Sequence, residues 1–407
     1  MLSIRPLAAA LNPPAQVAAA VARVADHLEQ RQIAFRFVTG ESDLPDALLI
    51  VTGGTEQLAL AAIARAPGPV FLLAHTELNS LPAALEVLGY LRQSGRSGRI
   101  YLLGDGDDRS LARLARHLEV RRRLQSVRLG RIGAPSDWLV ASVPSAEVVR
   151  TTWGPAVVDV PMDEVFEALR DADPGEATRV RNQATASAEA VREPSPGDLD
   201  AAARVTVALA AVVRAHHLDA CTVRCFDLVT EAATTGCLAL SWLQDEGIVA
   251  GCEGDVPATL TLLWMQLMTG RPGFMANPQD ADPAAGTLWL AHCTIARRLV
   301  SRYSLRSHFE SSLGVAIAGE LPPGPATVAR VGGADLCALF ASDAEIVRNG
   351  DSPGRCRTQV QVRVAADIRE LLTRPLGNHH VLAPGHWAND LREYHELFVA
   401  GEEHHAR

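Results

Sequence analysis

The chain has 407 residues, of which 48% are hydrophobic and 21% are charged, and its formal net charge at pH 7 is −9. This length exceeds what one hydrophobic core ordinarily holds, so we expect two or three domains. The net negative charge disfavours nucleic acid and anionic membrane surfaces as partners, since both would repel it.

The sequence does not open on a basic segment followed by a long apolar core, which predicts that no signal peptide is removed. Its apolar stretches are shorter than the roughly 18 residues that a membrane-spanning helix needs. The seven cysteines are odd in number and have no CxxC spacing. We therefore expect reduced, mostly buried thiols in a cytoplasmic protein.

The first part of the chain alternates between strand and helix patterns. Apolar runs at 47–51, 69–74 and 100–103 predict strands, and the apolar spacing over 81–91 predicts a helix. Strands that alternate with helices indicate parallel pairing, so we expect a doubly wound α/β domain over residues 1–152. The Gly-Gly turn at 53–54 fits either a plain connection or an anion-binding helix start.

A second α/β domain is expected over residues 153–276. A polar, proline-containing segment leads into an alanine-rich amphipathic helix over 199–216. Strands at 220–224 and 248–250 follow, with a helix at 237–245 between them. The same alternation of strands and helices again favours a parallel sheet.

The pattern becomes β-rich beyond Glu320, and we expect a β-rich C-terminal domain over residues 277–407. A strand at 273–276 leads into Asn277, and His292 ends the next strand. Further strands are predicted at 326–330, 338–340 and 359–364, before a closing segment that begins at His379.

The turn that follows the strand at 248–250 carries two carboxylates. Asp255 is a good helix N-cap, Pro257 fits the first turn, and Gly270 fits the left-handed position at the end of the helix. Capping directs the Asp255 side chain towards backbone amides. Glu253 is then free to enter a cleft at the carboxyl end of the strand, where open α/β sheets build their sites.

Oxygen and imidazole groups further along the chain could complete a metal site with Glu253. A carboxylate with one or two histidines and an amide oxygen suits Mn²⁺, Co²⁺ or Mg²⁺ better than structural zinc, which favours thiolates. Each histidine taken alone is also typical of a hydrogen-bonded structural residue. Glu253 alone is also typical of a loop carboxylate at a helix N-terminus, so both interpretations stay open.

Several short motifs of this chain together resemble the superfamily of L-fucose isomerase and L-arabinose isomerase, in its shorter fucose-isomerase-like form. The resemblance is clear over residues 220–390 and fainter over the first 150. The residues that carry it are Asp245-Glu246-Gly247-Ile248, Cys252-Glu253-Gly254-Asp255, Thr269-Gly270, His292-Cys293, His308-Phe309-Glu310, Pro323-Gly324-Pro325-Ala326-Thr327 and Asn378-His379, with Gly53-Gly54-Thr55-Glu56 and Asn79-Ser80-Leu81-Pro82 near the start.

The resemblance implies an enzyme that holds Mn²⁺ and interconverts an aldose and a ketose through an enediol. It also implies a homotrimer or homohexamer with active sites between subunits. Glu253 matches the first metal-binding carboxylate of the superfamily, His379 its C-terminal histidine ligand, and His292 falls near an additional histidine ligand. Candidates for contacts with substrate are Asn79, Ser80, Arg224 and Asn378.

One position departs from the pattern of the superfamily. Its second metal-binding carboxylate, which is paired with the first as acid and base, falls on Asn277. An amide can donate its oxygen to a metal, but it cannot accept a proton at neutral pH. The proton-transfer role then passes to Glu253, to Asp255, or to Asp280 or Asp282 of the following loop.

The departure keeps other functions open beside sugar isomerisation. The same site could catalyse an epimerisation, a dehydration or a retro-aldol step, because each starts from a metal-stabilised enediolate. A sugar-binding protein that has lost catalysis is the third possibility, and Asn277 is the residue that favours it.

Overall fold

The computed structural model describes residues 1–40, 43–64, 68–104 and 108–400. The contacts divide these residues into two compact units, one formed by 1–122 with 393–400 and the other by 123–392. The chain is a mixed α/β protein with two parallel sheets and a β-rich C-terminal region, as the sequence predicts.

The first unit is built on a five-stranded parallel sheet. Ala47–Ile50 and Val70–Ala74 are buried over their whole length, which is typical of parallel strands whose two faces are both covered. The strands in sheet order are Phe35–Phe37, Leu2–Leu7, Ala47–Ile50, Val70–Ala74 and Gly98–Leu102. The helices are Pro14–Gln30, Glu56–Ile63, Ser80–Gln93, Asp108–Ser126, which runs on into the second unit, and Ala388–Phe398, which begins in the second unit.

The second unit contains a four-stranded parallel sheet. Its strands in sheet order are Val249–Cys252, Ala220–Val223, Arg128–Ile132 and Ala156–Val160. The helices of this unit are Ala146–Thr152, Met162–Arg170, Pro174–Ala186, Pro196–Ala215, Phe226–Ala232, Cys237–Asp245, Val256–Thr269 and Arg369–Thr373, with a short 3-10 helix at Arg297–Leu299.

The β-rich region of the second unit forms a closed antiparallel barrel. Phe274–Asp282 pairs on one side with Thr287–His292 and on the other with His380–Pro384. The barrel therefore has no free strand edge. Strands that are distant in sequence lie side by side in it. The barrel order is Phe274–Asp282, Thr287–His292, Thr358–Val364, Ala338–Asn349, Gly324–Gly332 and His380–Pro384, and a separate sheet contains Ala316–Glu320, Arg302–Arg306 and Ala190–Val191.

The two units meet at residues 122 and 392, whereas the sequence predicts three domains with boundaries at residues 152 and 276. Arg128–Ile132 pairs with Ala220–Val223 and so belongs to the second sheet. Asn277 lies within the strand Phe274–Asp282 instead of following it. The three-domain division itself stays a prediction. Within the part of the chain that the structure describes, no helix combines the length and apolar character needed to cross a bilayer.

Candidate functional site

The turn after Val249–Cys252 presents Glu253 in a strained backbone conformation. Glu253 and Gly254 both have positive φ, 63° and 75°, and a non-glycine residue in this region costs about 1–3 kcal/mol. A Cβ atom at Gly254 would lie 2.6 Å from the Cα atom of Pro135. The Glu253 carbonyl accepts a hydrogen bond from the Ser136 amide at 2.8 Å. Close packing therefore fixes the turn in place.

The Glu253 carboxylate is nearly buried, with 9% of the residue exposed. Trp138 donates its indole N–H to Oε2 at 2.7 Å, and Oε1 lies 3.7 Å from Nε2 of His379. Burial favours the neutral carboxyl group, but His379 and the Trp138 hydrogen bond outweigh it and lower the pKa of Glu253. The group is therefore ionised at neutral pH.

Asp255 caps the helix Val256–Thr269, as the sequence predicts. Its Oδ1 accepts from the Ala258 amide at 2.8 Å. Its Oδ2 accepts from Nη1 of Arg330 at 3.2 Å and lies 2.9 Å from Nδ1 of His379. Burial raises the pKa of this carboxyl, but the Arg330 charge and His379 lower it overall. Both oxygens of Asp255 are thus engaged in a fully buried network.

His379 is fully buried, and its two ring nitrogens have different surroundings. Nδ1 faces Asp255, whereas Nε2 has no hydrogen-bond partner among the described residues and faces Glu253. Burial lowers the pKa of His379, but the Asp255 and Glu253 carboxylates outweigh it and raise the pKa to about 9. The surroundings of Nε2 therefore favour a positive charge, whether a proton or a metal cation.

His292 ends the strand Thr287–His292 and is 4% exposed. Its Nδ1 lies 2.9 Å from the Thr294 hydroxyl, and its ring centroid lies 5.4 Å from that of His379. Burial and the nearby His379 lower the pKa of His292 to about 4. The ring is therefore neutral at pH 7, the form in which histidine binds metals.

The structure brings Glu253, His292 and His379 together. One ligand atom of each lies within 4.8 Å of the others, and all three residues are buried. A carboxylate oxygen and two imidazole nitrogens suit a divalent first-row cation. The unpartnered Nε2 of His379 fits this interpretation, because a buried polar atom normally has a partner.

A cavity of about 180 Å³ opens beside this cluster. Asn277 lines it and is half-buried on the barrel strand Phe274–Asp282. Five of the seven cysteines also line the cavity, and none of these five forms a disulfide. The lining residues include Cys225, Phe226, Val229, Cys237, Cys252, Glu253, Asn277, Gln279, His292, Cys293, His308, Phe309, Glu310 and Cys356.

Two of the predicted substrate-binding residues, Arg224 and Asn378, are not among the residues that line the cavity. The guanidinium group of Arg224 is held by Asp227, Asp137 and the carbonyl of Pro135. Asn378 is exposed, and its carbonyl lies 3.1 Å from Nδ1 of His380.

Asn79 and Ser80 belong to the first unit. Asn79 is exposed, with a left-handed backbone before the helix Ser80–Gln93. Ser80 is fully buried, and its hydroxyl bonds the backbone at Ile50 and His75. The roles predicted for these two residues, and for Arg224 and Asn378, stay predictions.

Sequence reasoning missed two residues that support the cluster. Trp138 lies in the loop after Arg128–Ile132, a strand that the apolar pattern did not reveal because two arginines interrupt it. Arg330 lies in the middle of the strand Gly324–Gly332 and is fully buried. No local motif marks a buried arginine, so only the fold could reveal it.

Comparison with known proteins adds a separate line of evidence. No protein-family model matches the chain. The chain is 26% identical over 275 residues to a sulfoquinovose isomerase from Clostridium sp. (strain MSTE9), and that match spans 65% of this chain and 61% of the relative. It is 22% identical over 386 residues to a sulfoquinovose isomerase from Alkalicoccus urumqiensis, spanning 89% of this chain and 86% of the relative. This chain is therefore similar to two proteins that are both named as isomerases.

Proposed function

We propose that this protein is a metal-dependent aldose–ketose isomerase that acts on a small sugar or sugar derivative. The observation that carries the proposal is the buried cluster of Glu253, His292 and His379 beside a cavity. The two similar proteins named as sulfoquinovose isomerases support the reaction class. The more specific likeness to L-fucose and L-arabinose isomerases is part of this proposal.

Glu253, His292 and His379 would hold the metal ion, and the amide oxygen of Asn277 would be a neutral fourth ligand. This donor set fits Mn²⁺, with Co²⁺ and Mg²⁺ as alternatives. When bound, such an ion polarises a carbonyl or hydroxyl pair of the substrate as a Lewis acid.

The surrounding residues hold these ligands in position. Asp255 faces Nδ1 of His379 and so directs the lone pair of Nε2 towards Glu253. Arg330 donates to both Asp255 and the His379 carbonyl. Trp138 holds one oxygen of Glu253 and leaves the other facing His379. Partners of this kind fix the tautomer and orientation of a metal-binding histidine.

The experiment that tests the proposal uses purified full-length protein loaded with Mn²⁺. Sulfoquinovose, the sugar in the names of the two relatives, is supplied beside unsubstituted aldoses, and ketose formation is followed by NMR. We expect isomerisation of at least one sugar, and loss of both activity and bound manganese in Glu253→Gln. An unchanged metal content and turnover in Glu253→Gln would refute the assignment.

One rival is a related enediolate reaction such as epimerisation, dehydration or retro-aldol cleavage, and Asn277 favours the other, a sugar-binding protein that has lost catalysis. The same samples in D₂O separate the two. Exchange of a carbon-bound proton without ketose formation would favour the rival reaction. A wild-type protein that binds sugar but neither exchanges protons nor retains manganese would be a non-catalytic binding protein.

The assembly is a further part of the proposal. A homotrimer or homohexamer, with residues from a neighbouring subunit completing the substrate site, is what the resemblance implies. Light scattering of the purified protein tests it, and a monomeric mass would exclude it.

A further inference from the structure

The proposed isomerase needs a proton-transfer group that is free of other contacts. Asn277 cannot serve, because an amide does not accept a proton at neutral pH. Glu253 would be committed as a metal ligand, and a carboxylate that neutralises a cation is a weaker base.

The acidic residues named as substitutes are all engaged elsewhere. Asp255 is fully buried, with both oxygens bonded. Asp280 pairs with Arg355 at 3.2 Å. Asp282 accepts hydrogen bonds from two backbone amides of the turn that follows it. None of the three lines the cavity beside the cluster.

One other carboxylate does line that cavity. Glu310 lies there with Glu253, and within the described parts of the chain these two are the acidic residues of the lining. The Glu310 residue is exposed and makes no hydrogen bond or ion pair with another described residue. Its carboxylate therefore has unused acceptor atoms at the place where a substrate would bind.

The loop that carries Glu310 is held in shape by its own contacts. The His308 amide donates to the Leu313 carbonyl and the Ser312 amide to the His308 carbonyl, both at 2.9 Å. The His308 ring also packs edge-on against Phe226, with centroids 5.8 Å apart. Both rings line the cavity. The backbone that carries Glu310 is thus held beside the cavity before substrate binds, which favours a catalytic role over a chance surface location.

We propose that Glu310 is the catalytic base of this site and moves the carbon-bound proton between C2 and C1 of the sugar. The proposal rests on the isomerase function proposed above. The C2–H bond breaks and its proton goes to the Glu310 carboxylate, while its electron pair forms the C1–C2 double bond of the enediol. Glu310 then returns the proton to C1. O1 gains the proton that O2 loses, so C1 is reduced, C2 is oxidised and no outside reductant is needed.

Glu310→Gln keeps the size of the side chain and removes its basicity, and Glu310→Asp keeps the basicity at a shorter reach. Glu345→Gln is the matched control, because Glu345 is exposed and pairs with His386 away from the cavity lining. Each protein is loaded with Mn²⁺ and assayed with sulfoquinovose and unsubstituted aldoses in D₂O. Metal content, KM, kcat and deuterium incorporation are all measured.

For Glu310→Gln we expect kcat to fall by about 10²–10⁴-fold, the usual contribution of a positioned general base. Deuterium incorporation should fall equally, while metal content and KM stay within about twofold of wild type. Glu310→Asp should recover part of the rate, and Glu345→Gln should match wild type.

Two results would overturn the role of Glu310 and leave the isomerase function intact. One is a kcat for Glu310→Gln within tenfold of wild type, when Glu253→Gln has lost its metal and activity. The other is a raised KM at unchanged kcat, which would make Glu310 a binding residue. If the loaded wild-type protein neither isomerises nor exchanges protons with any sugar, the proposed function fails and the base role fails with it.

Discussion

Nδ1 of His379 lies 2.9 Å from Oδ2 of Asp255, and this pairing leaves Nε2 as the nitrogen of the imidazole that faces Glu253. Since a neutral imidazole protonated at Nδ1 has its lone pair at Nε2, Asp255 selects the tautomer that can bind a cation. Asp255 is therefore better suited to positioning a ligand than to moving a substrate proton.

Replacing Asp255 with Asn should weaken metal binding by about 10–100-fold, the usual effect of losing such a partner. The Asn oxygen can still accept from Ala258 and preserve the helix cap, but its amino group cannot accept from Nδ1 of His379. Calorimetric titration with Mn²⁺ measures the change. Asp280→Asn is the control, because Asp280 pairs with Arg355 at the surface and away from the cluster. Equal affinities in the two variants would contradict the positioning role.

Replacing Arg330 with Met should lower the free energy of unfolding by about 3–5 kcal/mol, because it leaves the Asp255 charge buried without its partner. Arg330 also donates to the Ser142 hydroxyl at 2.7 Å and to the Leu376 carbonyl at 3.1 Å. Urea unfolding measures the loss.

Arg302→Met is its control, since Arg302 is exposed and its ion pairs with Glu189 and Glu320 are at the surface. Exposed pairs contribute about 0–1 kcal/mol each. If Arg330→Met lowered the free energy of unfolding no more than Arg302→Met does, the buried network would contribute little to stability.

The buried His117 should make the protein less stable in acid. Its ring packs edge-on against Tyr394 at 5.8 Å, and neither ring nitrogen has a hydrogen-bond partner among the described residues. Burial is the main cause that lowers the pKa of His117, to about 4. The negative charge of Glu393 raises this pKa and the positive charge of Arg113 lowers it, both by less than burial does. Between pH 6.5 and 4 the unfolded chain binds this proton and the folded chain does not, so stability falls as the pH falls.

Relative to His117→Phe, the wild type should lose about 1.4 kcal/mol for each pH unit in that window. Unfolding curves at several pH values measure the difference, and comparing the two proteins removes contributions from other groups. His386→Gln serves as control, because His386 is half exposed. If the difference between wild type and His117→Phe did not change with pH, His117 would not be the source of acid sensitivity.

Mild oxidation should join Cys225 to Cys252. Their sulfur atoms are 3.0 Å apart, both residues are nearly buried, and both line the cavity. A disulfide needs a separation of about 2.05 Å, so a small movement suffices. Because Cys252 directly precedes Glu253, we expect the bond to reduce metal affinity and reducing agent to restore it.

Peptide mapping by mass spectrometry identifies the bond. The metal affinity of the double variant Cys225→Ser/Cys252→Ser should not change when the oxidant is added. Cys237, Cys293 and Cys356 form a second thiol cluster on the same cavity. A disulfide found there instead would refute the assignment.

The sequence predicted best the parts of the molecule that local rules govern. The helix at Cys237–Asp245 has the predicted bounds. The Asp255 cap and the left-handed Gly270 are confirmed. The strand Thr287–His292 ends at His292 as predicted. Each of these depends on neighbours within a few residues, which the sequence shows directly.

The sequence did not predict the features that depend on pairing between distant segments. Closure of the barrel joins Phe274–Asp282 to His380–Pro384, and no local pattern contains that register. Trp138 bonds Glu253 from 115 positions away, and Arg330 reaches Asp255 from 75. The sequence could therefore name Glu253, His292 and His379 as metal-ligand candidates, but not the residues that hold them.

The closed barrel also ties the proposed metal site to folding of this unit. His292 ends one neighbour of Phe274–Asp282 and His379 directly precedes the other, so these two candidate ligands come together only when both strands have paired, and an unfolded chain presents no preformed site. A ligand that binds only the folded state stabilises it by mass action. An abundant cation would therefore raise the fraction of chains that complete the barrel.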